Sequence, residues 1–108
     1  MNRFGISATS YELILSTLSD FPEIEKAIVF GSRAKGNYKH GSDIDLAILG
    51  SACTENTAMN LSGLLNEELP IPYRIDVVCY NQLNHPELKE HIDRVGIVFY
   101  TRTVEANL

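Results

Sequence analysis

The spacing of apolar residues predicts three amphipathic helices along this chain. They cover residues 10–21, 53–69 and 84–95. In the first, four apolar side chains recur at i, i+3, i+4 and i+7, the spacing of one face of an α-helix: Tyr11, Ile14, Leu15 and Leu18. Pro22 and Pro70 follow the first two helices, and the residue before a proline avoids the helical conformation. The prolines therefore predict where these two helices end.

Shorter apolar runs between the helices predict strands. Residues 26–30 form an apolar run that ends at Gly31, which is typical of a buried strand. Residues 43–49 alternate acidic and apolar side chains at first, and residues 73–80 are rich in β-branched and aromatic side chains. The short apolar run at residues 97–102 indicates either a core strand or an exposed apolar patch that binds a partner. The alternation of helices and strands predicts an α/β or α+β fold with a small mixed sheet flanked by helices.

Composition and charge narrow the function classes. The 108 residues are 44% hydrophobic, which predicts a single domain over residues 1–108. A net charge of −5 argues against direct binding of duplex nucleic acid. The sequence has neither an apolar signal core nor a run of 18 apolar residues, so we expect a cytoplasmic protein without membrane contact. Cys53 and Cys79 lack zinc-ligand spacing, which favours reduced thiols.

Two aspartates stand one residue apart at the start of the strand predicted over residues 43–49. Side chains at i and i+2 of a strand share a face, so Asp43 and Asp45 can converge on a hard cation such as Mg²⁺. Asp76 lies within another predicted strand, where a carboxylate is costly unless paired or metal-bound. If these strands are neighbours, the carboxylates can hold one or two ions, or leave one as a general base. The alternatives are solvated aspartates on an edge strand and a salt bridge from Asp76 to Arg74.

A glycine–serine turn precedes the paired aspartates. Gly31 and Ser32 follow a predicted strand and open a turn and short helix within residues 31–39. Glycine permits close backbone approach, Ser32 can cap the helix, and free N–H groups at a helix start favour phosphate. Arg33 and Lys35 place two cations beside this turn. The Walker A and GxGxxG spacings are absent, and a simple capped turn is the alternative.

The combination of these motifs is more specific than any one of them. Gly31-Ser32, ten intervening residues, the Asp43-x-Asp45 pair and a later strand aspartate resemble the signature of the DNA polymerase β-like nucleotidyltransferase superfamily. The short spacer in FGSRAKGNYKHGSDIDLAI is similar to that of the minimal nucleotidyltransferase (MNT) family. The resemblance covers residues 26–78, about half of the chain.

The resemblance implies a polymerase β-like nucleotidyltransferase fold and a division of roles within one site. Gly31 and Ser32 would hold the triphosphate of ATP, and Arg33 would assist at the leaving pyrophosphate. The residues that would hold one or two Mg²⁺ ions and carry the catalysis are Asp43, Asp45 and Asp76. Of these, Asp76 would also help to deprotonate the attacking hydroxyl.

The resemblance also implies an acceptor and a partner. Larger relatives carry a helical domain that holds the acceptor, and we expect none in a chain that ends at residue 108. Minimal family members are paired with a HEPN protein in toxin–antitoxin systems, where AMP passes from ATP to a tyrosine of the toxin. We therefore expect an antitoxin with protein adenylyltransferase activity in a hetero-oligomer with a HEPN protein. The open alternatives are a nucleotide-binding protein that only sequesters its partner, and a nucleotidyltransferase acting on small molecules.

Overall fold

Four strands form one mixed β-sheet in the computed structural model, which describes residues 2–102. The strands are β1 (Lys26–Phe30), β2 (Ile44–Leu49), β3 (Ile75–Cys79) and β4 (Ile97–Thr101). Their order across the sheet is β3-β2-β1-β4, so β3 and β4 are the outer strands. β1 runs antiparallel to both β2 and β4, whereas β2 and β3 are parallel. The predicted small mixed sheet is confirmed.

Helices flank this sheet. They are α1 (Ala8–Ser19), α2 (Ser32–Lys35), α3 (Glu55–Gly63) and α4 (Pro86–Val95), with a π-helical segment at Leu64–Glu68 and a 3₁₀ turn at Tyr80–Gln82. α1 begins earlier than predicted because the Ser7 hydroxyl caps it by accepting from the N–H of Ser10 at 3.3 Å. Within residues 2–102, none of the helices combines the length and apolarity needed to cross a membrane.

The helix predicted over residues 53–69 is observed as two segments. α3 ends at Gly63, and the chain continues as a π-helical turn over Leu64–Glu68. The wider turn brings Asn66 against β3, where its Nδ2 donates to the carbonyl of Ile75 at 2.8 Å. The N–H of Ile75 donates in return to Asn66 Oδ1, also at 2.8 Å. The π-turn thereby ties the helical layer to β3 beside Asp76.

Each face of the sheet is covered by different helices. One face forms the larger core with residues of α1 and α3, and β2 contributes to it three fully buried side chains, Ile44, Leu46 and Ile48. The other face carries Phe30 and Ala47, which pack with Ile92 of α4. Because side chains alternate along a strand, Asp45 lies on this second face. The apolar face expected for β2 is confirmed, whereas its opposite face carries Asp45 beside the buried Ala47 and is only partly ionic.

β4 completes the sheet as a strand that alternates between core and surface. Phe99 is buried, and its ring packs against Phe4 and Tyr11 with centroids 5.6 and 4.9 Å away. Val98, on the opposite side of the strand, is 53% exposed. The interpretation of this segment as a core strand is confirmed, and Val98 is the part of it that faces outward.

Both cysteines belong to the core. Cys53 and Cys79 are free and buried. The thiol of Cys53 donates to the carbonyl of Glu23 at 3.2 Å. Burial, followed by the charges of Cys79 and two glutamates, raises the pKa of Cys53 to about 11. Such a thiol is protonated and unreactive at neutral pH, which fits a structural role.

Candidate active site

Three strand ends meet at one edge of the sheet. Because β1 is antiparallel to β2 and β3 is parallel to it, the end of β1 lies beside the starts of β2 and β3. The pairing places Phe30 opposite Asp45, and Asp45 opposite Asp76. Gly31 and Ser32 follow Phe30 directly. The fold therefore brings the glycine–serine turn and two of the predicted site aspartates together.

The aspartates form one acidic patch on the α4 face. Asp45 and Asp76 are direct neighbours on strands about 4.8 Å apart. Asp43 precedes Asp45 by two residues and therefore projects from the same side of the extended chain. Asp45 and Asp76 are half-buried, whereas Asp43 is exposed. The expectation that the two aspartate-bearing strands are neighbours is confirmed.

The electrostatics of the patch centre on Asp45. Burial raises the pKa of Asp45 from 3.8 to about 6, and the nearby charges of Asp76 and then Asp43 add to the increase. The salt bridge expected as an alternative for Asp76 is present: Arg74 Nε lies 3.4 Å from Asp76 Oδ1. The side chains of Arg74 and Asp76 are 68% and 46% exposed, so water screens the bridge and it stabilises the fold little. Asp45 therefore carries a negative charge that its surroundings disfavour.

These carboxylates fit a magnesium ion that is shared with a nucleotide. Across residues 2–102, no three His, Cys, Asp or Glu side chains are gathered as a preformed metal-binding group. Mg²⁺ does not require one, because it keeps several waters and binds through one or two carboxylates plus substrate phosphates. The hard oxygen donors and the raised pKa of Asp45 suit such a cation. A closed site with three protein ligands, in contrast, is not what the structure shows.

Gly31 forms the contact between the turn and the acidic patch. Its backbone has φ +73° and ψ −152°, a conformation that residues with a side chain rarely adopt. A Cβ at this position would overlap Oδ2 of Asp45 and would lie 3.3 Å from its Cγ. Only glycine allows the backbone to pass this close to the carboxylate. The turn and Asp45 thus form one continuous surface.

The start of α2 differs from the sequence expectation in one detail. Gly31, and not Ser32, occupies the capping position, and the helix has no side-chain cap. The prediction that Ser32 caps the helix is therefore wrong. Since Ser32 is the first residue of α2, its hydroxyl is not used for capping and lies next to the turn that precedes Asp45. Its role toward a nucleotide stays a prediction.

Arg33 is turned away from the acidic patch. Its side chain is 2% exposed, and its guanidinium donates to the backbone carbonyls of Phe4, Gly5 and Ser42. Lys35, two residues later, is exposed. The predicted contact of Arg33 with a leaving pyrophosphate stays a prediction, and these buried contacts argue against it.

Two residues near the site had no signal in the sequence. Asn66 pairs with the backbone of Ile75, one residue before Asp76. His91 of α4 packs edge-on against Phe30 with ring centroids 6.1 Å apart, and Phe30 is the neighbour of Asp45 across the sheet. Both contacts join segments distant in sequence, and only an aligned set of relatives or a structure would reveal them.

A separate groove borders the outer strand β3. Its volume is about 650 Å³, and its lining includes Met59, Asn66, Arg74, Val77 and Leu83. None of the predicted site residues lines it. The groove is therefore distinct from the acidic patch, although Arg74 links the two through its bridge to Asp76.

Comparison with known proteins decides the family. The family model described as "Polymerase beta, Nucleotidyltransferase" matches residues 12–105. This chain belongs to that family. The match spans the turn, all four strands and the three aspartates. No curated protein matches this sequence at a significant level.

Solved structures with the same fold include several toxin–antitoxin complexes. The crystal structure of a toxin–antitoxin with AMP-PNP has a TM-score of 0.69 and 22% identity, covering 85% of this chain and 73% of that chain. The toxin–antitoxin MntA–HepT has a TM-score of 0.65 and 19% identity, covering 89% and 74%. The tri-AMPylated Shewanella oneidensis HEPN toxin in complex with MNT antitoxin has a TM-score of 0.64 and 20% identity, covering 87% and 71%. These similarities show that this nucleotidyltransferase has the predicted fold.

Proposed function

We propose that this nucleotidyltransferase transfers AMP from ATP to a hydroxyl group of a HEPN protein, in a Mg²⁺-dependent reaction, and so acts as its antitoxin. The acceptor is a tyrosine of that protein, and the two form a hetero-oligomer. The observation that carries the proposal is the alignment of Asp45 with Asp76 beside the Gly31 turn. Structures of the same fold contain AMP-PNP or an AMPylated HEPN toxin, which supports the choice of substrate and acceptor. Because ATP is abundant in the cytoplasm, we expect the reaction there.

In this proposal the glycine–serine turn binds the triphosphate and the acidic patch binds the metal ion. Backbone N–H groups after Gly31 and the Ser32 hydroxyl bind and orient the triphosphate. Asp43, Asp45 and Asp76 would hold Mg²⁺, which when bound supplies charge neutralisation at the phosphates. The close packing of Gly31 on Asp45 sets the distance between these two binding elements. The substrate α-phosphate would therefore lie between them.

The acceptor hydroxyl requires a proton acceptor near the α-phosphate. Asp76 lies on the edge strand β3, whereas Asp45 lies on the inner strand β2. A hydroxyl approaching from that edge meets Asp76 first, and its carboxylate can accept the proton as the oxygen attacks phosphorus and pyrophosphate leaves. Positioning of the two reactants side by side contributes much of the acceleration in such reactions.

The proposal is tested by incubating the protein with ATP, Mg²⁺ and the HEPN protein encoded beside it. We expect AMP on a tyrosine of that protein and loss of its toxicity. Replacing Asp43 and Asp45 together by alanine should abolish both results. Asp20→Asn is the matched control, because Asp20 is an exposed carboxylate at the end of α1, outside the acidic patch.

Two other outcomes would replace this function. If the alanine variant binds and neutralises the HEPN protein as well as the original protein does, neutralisation is sequestration without catalysis. If AMP appears only on small alcohols and never on the HEPN protein, the acceptor is a small molecule.

A further inference from the structure

Arg33 has an environment that the nucleotidyltransferase reaction does not by itself explain. Its Nε and Nη2 both donate to the carbonyl of Ser42, at 3.1 and 2.7 Å. Its Nη1 donates to the carbonyls of Phe4 and Gly5, at 2.8 and 3.2 Å. Four of the five N–H groups of the guanidinium are thus used. Because the side chain is only 2% exposed and one N–H group remains, Arg33 has little capacity to bind a phosphate.

The charge of Arg33 is stabilised without a carboxylate. Within residues 2–102, no salt bridge involves this guanidinium. Its flat faces instead lie over the rings of Tyr38 and Tyr73, with 5.0 and 4.9 Å between Cζ and the ring centroids. Burial of a charge is costly, and a buried apolar residue would stabilise the fold at lower cost. This position therefore requires the several N–H donors of a guanidinium, and its charge alone does not explain the arginine.

The contacts of Arg33 connect the two halves of the site. Arg33 is the second residue of α2 and follows the Gly31 turn almost directly. Ser42, which accepts two of its hydrogen bonds, is joined by its carbonyl carbon to the nitrogen of Asp43. The guanidinium therefore spans the loop and holds the peptide group that leads into the first aspartate.

The loop between these halves has few other anchors. Gly36 and Gly41 have φ angles of +84° and +83°, and no atom lies within 4 Å of where their Cβ would be. Lys39 and Ser42 are hydrogen-bonded to each other, at 2.8 and 3.0 Å, which closes a local turn but ties it to nothing else. The partly buried loop residues, Tyr38 and Ser42, both contact Arg33. The Tyr38 ring also packs closely against Gly5, and Ile44, just after the loop, donates to the carbonyl of Arg74 at 2.8 Å. Arg33 is thus the side chain that holds the carbonyl of Ser42.

We propose that Arg33 is a positioning residue, which fixes Asp43 relative to the Gly31 turn by holding the carbonyl of Ser42, and that it does not bind phosphate. The catalytic consequence rests on the proposed function, whereas the structural consequence does not. Lysine keeps the charge but lacks the fork, so Arg33→Lys should leave the loop loose. The charge-matched control is Lys39→Met, because Lys39 is an exposed cation in the same loop.

The structural consequence is measured by backbone amide hydrogen exchange on the protein without metal or nucleotide. In Arg33→Lys and Arg33→Met we expect exchange of the two hydrogen-bonded amides of the loop, those of Lys39 and Ser42, to rise by about tenfold or more, with the amides of α1 unchanged. Lys39→Met should exchange as the original protein does. If Arg33→Met does not fold, the lysine variant alone decides. Unchanged exchange in the lysine variant would overturn the proposal.

The catalytic consequence is measured by nucleotide affinity and turnover together. Positioning predicts that Arg33→Lys lowers kcat by about tenfold or more and raises the Mg²⁺ concentration for half-maximal rate. The dissociation constant for ATP should change less than about threefold. A large loss of ATP affinity with a normal loop would instead make Arg33 a phosphate ligand. If the unaltered protein transfers no AMP, that failure concerns the proposed function alone, and the exchange result still decides the positioning.

Discussion

Gly31 and Asp45 are in direct contact, and this contact determines what each of them can do. The glycine adopts a left-handed φ and leaves no room for a Cβ beside the carboxylate. Burial raises the pKa of Asp45, and repulsion from the nearby charges of Asp76 and Asp43 raises it further. A divalent ion bound with a triphosphate would relieve the same repulsion. At the scale of single residues, Gly31 and Asp45 therefore act as one unit.

Replacement of Gly31 tests this contact. In Gly31→Ala, the methyl group should displace Asp45, so that AMP transfer falls by roughly 100-fold. The free energy of unfolding should fall by about 1–3 kcal/mol through backbone strain. Initial rates and urea denaturation measure the two effects.

Gly36→Ala is the matched control for that variant. Gly36 also has a left-handed φ, but its missing Cβ faces open space. Its replacement should cost about 1–2 kcal/mol of stability and leave the transfer rate within about threefold. Equal losses of activity in the two variants would show that strain, and not the Asp45 contact, is responsible.

The pH dependence of stability follows from the raised pKa of Asp45. The folded protein binds this proton with a pKa of about 6, against 3.8 as the ordinary value. Between these values the folded state binds more protons than the unfolded state, so this group's contribution to stability is complete below about pH 3.8 and is lost as pH rises through 6. Without metal, the stability of the unaltered protein relative to Asp45→Asn should therefore fall from pH 4 to pH 7. Urea denaturation at several pH values measures this difference, and a rise would contradict the electrostatics.

At the scale of the elements, the sequence predicts the strands and helices better than it predicts the contacts between them. Apolar spacing predicts every long helix and all four strands, because burial on one face dictates that spacing. The π-turn at Leu64–Glu68 was not predicted, because one extra residue in a helical turn barely changes the spacing of the apolar residues. The burial of Arg33 was also not predicted. Its position beside the glycine turn suggested a cation for phosphate, and the groups that surround it include the carbonyls of Phe4 and Gly5, which are distant in sequence.

Asn66 offers a prediction at this scale. Its removal in Asn66→Ala leaves the N–H and carbonyl of Ile75 without partners on the outer strand. We expect the free energy of unfolding to fall by about 1–3 kcal/mol. Asn60→Ala, at an exposed position of α3, should change it by less than about 0.5 kcal/mol. Urea denaturation compares the two, and a similar cost for both would rule out a special role of the π-turn.

At the scale of the whole molecule, the protein is acidic and its proposed substrate is an anion. The net charge is −5, and three of the fourteen acidic residues lie in the acidic patch. Free nucleotide alone should therefore be repelled, whereas nucleotide with Mg²⁺ should bind and stabilise the fold.

Thermal unfolding checks this linkage. At concentrations of Mg²⁺ and ATP about 100-fold above the dissociation constant, binding adds about 2.7 kcal/mol of stability. For a domain of this size we expect Tm to rise by roughly 10 °C. ATP with a chelator, and the double alanine variant of Asp43 and Asp45 with both ligands, should show little increase. An equal increase in that variant would place nucleotide binding elsewhere.

Nucleotidyl transfer is tested most directly by the position of the label in ATP. The protein is incubated with Mg²⁺, the HEPN protein proposed as its partner, and ATP labelled either at the α-phosphate or at the γ-phosphate. A site built from the Gly31 turn with Asp43, Asp45 and Asp76 should transfer only the α-label to the partner, and the double alanine variant should transfer neither. Transfer of the γ-label, or of no label while the partner is still neutralised, would contradict this account.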